Sequence, residues 1–249
     1  MSIIIKSNQE IAAMRQAGRI VAIVLEVLTR QMRPGIKTKD LDIMVAREIE
    51  RLGAKPSFKG YRGFPANLCA SVNDEIVHGI PGERILEEGD IVSLDLGAIF
   101  MGFHGDAAVT VGVGKISSTA RRLLEITEGA LKAGMAAARA EAKLGDISSA
   151  IQNYAESRNY SVVREYTGHG IGRELHEEPQ IPNFGLPGTG PVLKRGMTLA
   201  LEPMVNAGDW HTQLGDDHWT VFTADGSLSA HFEHTIVITE AEPEVLTTV

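Results

Sequence analysis

Two aspartates, Asp95 and Asp106, interrupt an otherwise apolar stretch over residues 91–113, here called the aspartate hairpin. Runs of Val, Ile and Leu around a glycine turn near residues 100–102 predict two β-strands. If the turn lies at Met101-Gly102, we expect the aspartates to lie opposite each other or within one residue of opposite, about 5 Å apart at Cβ. Two carboxylates that close on apolar strands share a proton or bind a cation. A capped structural aspartate would explain Asp95 alone, so it is the pair that indicates a metal site.

The composition narrows the class of protein. Lys and Arg number 24 and Asp and Glu 32, which gives a net charge of −8 without any basic run, so we expect no direct nucleic-acid binding. The single cysteine, Cys69, excludes an internal disulfide and fits a reducing compartment. The apolar run near the N-terminus is too short for a signal peptide, and no stretch approaches the ~18 apolar residues of a membrane span. We therefore expect a cytoplasmic protein without a membrane partner.

Helical and strand patterns follow one another in a regular order. Ser7 and Glu10 fit a capping box, and a Pro-Gly pair at residues 34–35 ends the helix that follows. The apolar periodicity predicts helices over about residues 7–32, 40–52, 118–138 and 146–158. Short strands are predicted around residues 66–72 and 75–79, before the aspartate hairpin. Glycine-rich stretches at residues 60–65 and 185–191 are predicted to be a turn and a loop.

The second half of the sequence repeats the first. In each half a carboxylate follows a glycine by six residues within an apolar strand. Such self-similarity predicts two helix-helix-strand halves, about residues 1–113 and 114–249, that form one domain spanning 1–249 around a shared centre. The matching residues are Asp40 and Asp146 (offset 106), His78-Gly79-Ile80 and His169-Gly170-Ile171, and Asp95 and Glu202.

Further candidate metal ligands lie in the second half. Glu202 in Leu-Glu-Pro-Met and Glu233 in Phe-Glu-His-Thr each interrupt an apolar strand, and His169 lies in Gly-His-Gly. Singly, such glutamates are more often solvated, and such a histidine is more often a hydrogen-bonded core group. The joint pattern argues against that explanation, because the duplication places Asp95 and Glu202 at equivalent positions in the two halves. Four carboxylates would balance two divalent cations, and an oxygen-rich set with one imidazole suits Mn²⁺, Fe²⁺ or Co²⁺ and does not exclude Zn²⁺.

These residues, in their order and flanking motifs, resemble the methionine aminopeptidases, and the chain is most similar to the short bacterial type I form. The resemblance implies the pita-bread (creatinase/aminopeptidase) fold, an α/β (α+β) arrangement with internal pseudo-twofold duplication around a curved antiparallel sheet. It also implies a cytoplasmic monomer that removes the initiator methionine from nascent chains, near the ribosome, when the second residue is small. The motifs that carry it are SLDL with Asp95, FHGD with Asp106, GHGIG with His169, LEPM with Glu202, FEHT with Glu233, VHGIP with His78 and LHEEP with His176.

The resemblance also implies a metal site with two divalent ions. Asp106 and Glu233 match residues that bridge both ions in this family. His169 and Glu202 match the residues that complete one ion, and Asp95 matches the residue that completes the other. The resemblance implies that a hydroxide held between the ions attacks the first peptide bond, and that Glu202 handles the proton of the attacking water.

The remaining family roles concern the substrate. His176 is expected to donate a hydrogen bond to the tetrahedral oxyanion, and His78 to contact the substrate amide or amine. Loop packing beside glycines is the alternative for both histidines. The methionine pocket should be apolar, and its candidate residues by the family match are Tyr61, Phe64, Cys69 and Trp219. The sequence departs from the common bacterial pattern, in ways that concern pocket shape and leave the metal chemistry untouched, at Phe58, Phe64 and Leu175.

Two other functions fit parts of the pattern. Proline-directed peptidases share the fold, but they usually bear an extra N-terminal domain, for which 249 residues leave no room. A non-catalytic peptide-binding relative would be expected to have lost metal ligands, whereas all five are present. We therefore expect an enzyme, a methionyl aminopeptidase, which is a metal-dependent exopeptidase and hydrolase.

Overall fold

The computed structural model describes residues 2–249 as two pairs of helices against one long, mainly antiparallel sheet. The helices are α1 (Asn8–Gln31), α2 (Thr38–Arg51), α3 (Ser118–Ala137) and α4 (Leu144–Glu156), with a 3-10 helix at Tyr61–Gly63. The strands are β1 (Lys55–Pro56), β2 (Cys69–Val72), β3 (Glu75–Val77), β4 (Ile91–Phe100), β5 (Phe103–Gly112), β6 (Ser161–Val162), β7 (Thr167–Gly170), β8 (Glu177–Pro182), β9 (Thr198–Leu201), β10 (Met204–Asn206), β11 (Thr212–Leu214), β12 (Val221–Thr223), β13 (Ser229–His231), β14 (Glu233–Val237) and β15 (Glu244–Val245).

The large sheet joins the two halves of the chain at its centre. Its strand order is β1-β4-β5-β14-β9-β7-β8, with β2 paired to β4 and β15 paired to β14. The first three strands come from the first half of the sequence and the other four from the second, so β5 and β14 meet at the junction. Two smaller sheets have the orders β13-β10-β6 and β11-β12-β3.

The helices form where the apolar periodicity predicts them, with ends shifted by at most two residues. The predicted capping box is confirmed, because Ser7 accepts from the Glu10 amide while the Glu10 carboxylate accepts from the Ser7 amide. α1 lies directly on β5, since a Cβ on Gly105 would come within 2.6 Å of the backbone of Gly18. None of the described helices is long and apolar enough to cross a membrane.

The structure bears out part of the predicted duplication and corrects another part. Asp40 and Asp146 are each the third residue of the second helix in their half. The isolated bridges just before these helices are also matched, Lys37 with Ile85 and Lys143 with Val192. The two His-Gly-Ile tripeptides are not equivalent, because His169 lies within β7 of the large sheet whereas His78 follows β3 with a positive φ of 62°. A short shared tripeptide carried too little information to fix a structural match.

The aspartate hairpin forms, but the predicted pairing of its aspartates is wrong. β4 and β5 are joined by a two-residue turn at Met101-Gly102, so Asp95 pairs with Ala108 and Asp106 pairs with Gly97. The aspartates are therefore two positions out of register, and the turn placement alone decides this offset. Because strand side chains alternate with a period of two, both still point to the same face, as diagonal neighbours about 7–8 Å apart at Cα.

Candidate metal centre and adjoining pocket

Three neighbouring strands bring carboxylates to one patch of the large sheet. Ala108 on β5 pairs with Asp95 on one side and with Glu233 on the other, so the two acids flank one small residue. Asp106 lies two residues before Ala108 on the same strand and faces the same way. Glu202 directly follows β9, the other neighbour of β14, rather than lying within the strand as predicted. The next residue is proline, which cannot donate to a strand ladder.

His169 on β7 completes the cluster. Ligand atoms of Asp106, His169 and Glu233 all lie within 4.8 Å of one another. The Nδ1 of His169 donates to the carbonyl of Gly170 at 2.9 Å, which leaves the Nε2 lone pair free for a metal. That Nε2 lies 3.5 Å from Oε1 of Glu202. Burial lowers the pKa of His169 to about 4, so at neutral pH the ring is in the uncharged form that binds metals.

The four carboxylates are costly to ionise without a cation. Burial raises the pKa of Asp95 to about 7. Burial first, and repulsion from the other acids second, raise the pKa of Asp106, Glu202 and Glu233 well above the usual range. One oxygen each of Asp95, Asp106 and Glu233 is buried without a hydrogen-bond partner. Such oxygens are unfavourable alone but are ligands that divalent cations take, so these residues fit a metal centre.

Metal affinity is expected to fall at least about tenfold between pH 8 and pH 6, because Asp95 takes up a competing proton as the pH drops through its raised pKa of about 7, and the other three acids, whose pKa values are also raised, can only add to this competition. Metal binds only the ionised carboxylate. Affinity therefore falls as the pH falls, and binding releases protons. Titration calorimetry with Mn²⁺ at both pH values, in buffers of different ionisation enthalpy, measures the affinity and the proton count. Equal affinities with no proton release would contradict this prediction.

A pocket of about 140 Å³ opens directly onto the carboxylate cluster. The rings of Phe64 and Trp219 meet edge to face at 5.2 Å between centroids. Its apolar and aromatic lining comprises the four predicted methionine-pocket residues, Tyr61, Phe64, Cys69 and Trp219, together with Phe58 and Leu175. All three departures from the family pattern, Phe58, Phe64 and Leu175, therefore line the pocket.

Both predicted substrate-contacting histidines line this pocket. The Nδ1 of His176 lies 2.8 Å from the Tyr61 hydroxyl, and its ring centroid is 4.2 Å from that of His169. His78 packs edge to face with Trp219 at 6.4 Å. His176 is partly exposed, yet the burial of its ring beside the pocket and the nearby His169 lower its pKa to about 3, and burial lowers the pKa of His78 to about 4. Both rings are therefore uncharged at neutral pH.

One histidine at the centre, His231, was not predicted from the sequence. His231 is 1% exposed, both of its ring nitrogens lack hydrogen-bond partners, and its Nε2 lies 3.8 Å from Oε2 of Glu202. The Glu202 carboxylate thus stands between two imidazoles, with His169 beside its other oxygen. The available signal was strand alternation, since His231 comes two residues before Glu233 in an extended segment.

This fold and this centre are those of the metal-dependent hydrolases with the pita-bread architecture. The chain belongs to metallopeptidase family M24, whose family model matches residues 12–240. The resemblance and the fold class expected from the sequence are thereby confirmed.

Relatives of known name cover the whole chain. Methionine aminopeptidase 1 of Bacillus subtilis is 54% identical over 247 residues, which are 99% of this chain and 100% of that protein. The crystal structure of methionine aminopeptidase from Thermotoga maritima superposes with a TM-score of 0.98 at 47% identity and covers 100% of both chains. Prolidase from Pyrococcus furiosus shares the fold, with a TM-score of 0.82 at 24% identity over 99% of this chain and 66% of its own.

Proposed function

We propose that this chain is a metal-dependent methionine aminopeptidase that removes the N-terminal methionine from polypeptides with a small second residue. One observation carries the proposal: a pocket with an apolar and aromatic wall opens directly onto four carboxylates and an imidazole, of which Asp106, His169 and Glu233 are buried. The full-length similarity to relatives named methionine aminopeptidase supports the same function.

The centre is proposed to hold two divalent ions, for which Mn²⁺, Fe²⁺, Co²⁺ and Zn²⁺ are the candidates. Asp106 and Glu233 would be shared by both ions, His169 and Glu202 would complete one, and Asp95 would complete the other. The four carboxylate charges match the charge of two such ions, which relieves the repulsion that raises their pKa values. When bound, divalent ions lower the pKa of coordinated water and polarise the scissile carbonyl.

The chain's own groups supply the remaining steps. Glu202 is proposed to take the proton of the attacking water, since its carboxylate lies in the centre between the rings of His169 and His231. His176 is proposed to donate from Nε2 to the developing oxyanion. Its uncharged ring has one proton, and a Tyr61 hydroxyl that donates to Nδ1 places that proton on Nε2. His78, half-buried beside Trp219 in the pocket, is proposed to contact the substrate amide or amine.

Cleavage of Met-X-Ser-Lys peptides is expected when X is Gly, Ala, Ser, Thr, Pro, Val or Cys, and to be very slow for Leu, Lys, Arg, Glu or Phe. With methionine in the pocket, the second side chain is pressed against the wall that carries His78 and His176. A large side chain would clash there, and a charged one would be desolvated beside the acids. Mass spectrometry of the series measures the rates, and comparable cleavage of Met-Lys and Met-Ala peptides would contradict the steric argument.

Peptides with first residues other than methionine, assayed beside this series, separate the alternatives. A proline-directed aminopeptidase would cleave Xaa-Pro peptides with first residues other than methionine and leave Met-Ala peptides intact. A non-catalytic peptide-binding relative would cleave neither and would hold no pair of metals. Methionine-dependent cleavage, compared between Met-Ala-Ser and Leu-Ala-Ser peptides across several metals, is the result that supports the proposal.

The cellular setting is a proposal of the same kind. We infer that the substrates are N-termini of nascent polypeptides in the cytoplasm, near the ribosome, and that the enzyme acts as a monomer. The net charge of −8 argues against direct contact with nucleic acid. Co-sedimentation with translating ribosomes and light scattering of the purified protein test these two points.

A further inference from the structure

The segment that carries His176 is tied to the start of the chain by a buried ion pair. Residues 172–177, called here the His176 loop, end at Glu177, whose carboxylate contacts the ammonium of Lys6. The two side chains are 5% and 3% exposed, and the partners lie 171 residues apart in sequence. Neither residue belongs to the metal centre or lines the pocket.

Glu177 fixes the loop backbone as well as the ion pair. Its Oε1 accepts from the amides of Arg173 at 2.9 Å and Glu174 at 3.3 Å, while Oε2 faces Lys6. A Cβ on Gly172 would come within 2.5 Å of both Glu177 Oε1 and Lys6 Cε. The loop backbone therefore packs directly on the ion pair, and only glycine leaves room for it at this position.

Lys6 is itself firmly placed. Its amide donates to the carbonyl of Gly196 at 2.8 Å, and the next residue, Ser7, is the N-cap of α1. The ion pair thus connects the loop to the beginning of a 24-residue helix and to the turn that precedes β9. His176 is held on its other side by the Tyr61 hydroxyl.

We propose that Lys6 is a positioning residue for His176, acting through Glu177 to hold the loop where the His176 ring faces the carboxylate cluster. A buried ion pair is a poor source of stability, because desolvating two charges offsets most of their attraction. It does favour one arrangement of the groups that it joins. Here that arrangement includes the position of His176, the residue next to Glu177. The inference rests on the proposed function, since it assigns a role in peptide hydrolysis.

Lys6→Met is expected to lower kcat for a Met-Ala-Ser peptide at least about tenfold, with KM and Mn²⁺ affinity unchanged, because it displaces a group that acts in the transition state. The assay is run below the melting transition of each variant, so that a lower folded fraction does not contribute. Arg15→Met is the matched control, since Arg15 and Glu244 form an exposed ion pair that also joins the N-terminal helix to a distant segment. It should leave kcat unchanged.

The deciding measurement is a double-mutant cycle with His176→Ala. If Lys6 acts through His176, Lys6→Met should have little further effect on kcat in the His176→Ala background. The same fold-loss in both backgrounds, or no loss in the wild type, would overturn the inference. Should Lys6→Met fail to fold, Glu177→Gln, which keeps the acceptor for the loop amides but weakens the hold on Lys6, enters the same cycle. A wild-type enzyme that leaves Met-Ala-Ser uncut would instead refute the proposed function.

Discussion

Asp106→Asn is expected to abolish peptide hydrolysis and to weaken metal binding strongly, while the metal-free protein becomes more stable. Asp106 is 4% exposed, has an oxygen without a hydrogen-bond partner, and lies within 4.8 Å of ligand atoms of His169 and Glu233. Asparagine keeps the shape but removes one of four charges that two divalent cations would balance. The same change removes repulsion from the centre when no cation is bound, so the melting temperature of the metal-free protein should rise.

Three measurements on one preparation decide this prediction. They are the metal content after dialysis, kcat on a Met-Ala-Ser peptide, and the melting temperature with and without chelator. Asp216→Asn is the control, because Asp216 is an exposed acid in a turn away from the pocket. A damaged fold would lower the melting temperature, which separates loss of a ligand from loss of structure. Two tightly bound metals and full turnover in Asp106→Asn would show that the ligand assignment is wrong.

The sequence was most informative where local patterns determine local structure. The Ser7 capping box and the apolar periodicity predicted all four helices, since both signals act within a few turns of the chain. The aspartate hairpin was predicted as well, but the pairing of Asp95 and Asp106 was not. The predicted turn at Met101-Gly102 is the observed one. It pairs Phe100 with Phe103 and therefore Asp95 with Ala108, so the predicted pairing of the two aspartates was wrong by two positions although the turn was right.

The duplication predicted only two members of the centre, whereas Asp106, His169 and Glu233 were assigned from the resemblance to a known family. Asp95 and Glu202 share their spacing from a preceding glycine, and the structure brings both to one pocket. His231 was not predicted because a histidine in a buried strand is usually a core residue, and only the fold shows its distance to Glu202. The contact between Lys6 and Glu177 was not predicted for a related reason. Contacts between residues 171 positions apart leave no periodic pattern in the sequence.

His176→Ala is expected to lower kcat by roughly 10²–10³ while metal content stays the same, as loss of one oxyanion donor does. The ring lines the pocket beside the carboxylate cluster but is not among the ligand atoms that converge there. Its Nδ1 is occupied by the Tyr61 hydroxyl, so only Nε2 is free to donate. A loss of metal on this substitution would make His176 a ligand and refute the role proposed for it.

Tyr61→Phe tests the same donor through its hydrogen-bond partner and keeps the aromatic pocket wall. Without the hydroxyl, the uncharged His176 ring is free to carry its proton on Nδ1, and in that tautomer Nε2 has no hydrogen to give the oxyanion. We therefore expect kcat to fall by about tenfold or more in Tyr61→Phe, with KM for methionine peptides nearly unchanged because the ring remains. In a His176→Ala background the Tyr61→Phe change should have no further effect on kcat. Unequal kcat values in that background would show that Tyr61 acts on the substrate directly rather than through the proton on His176.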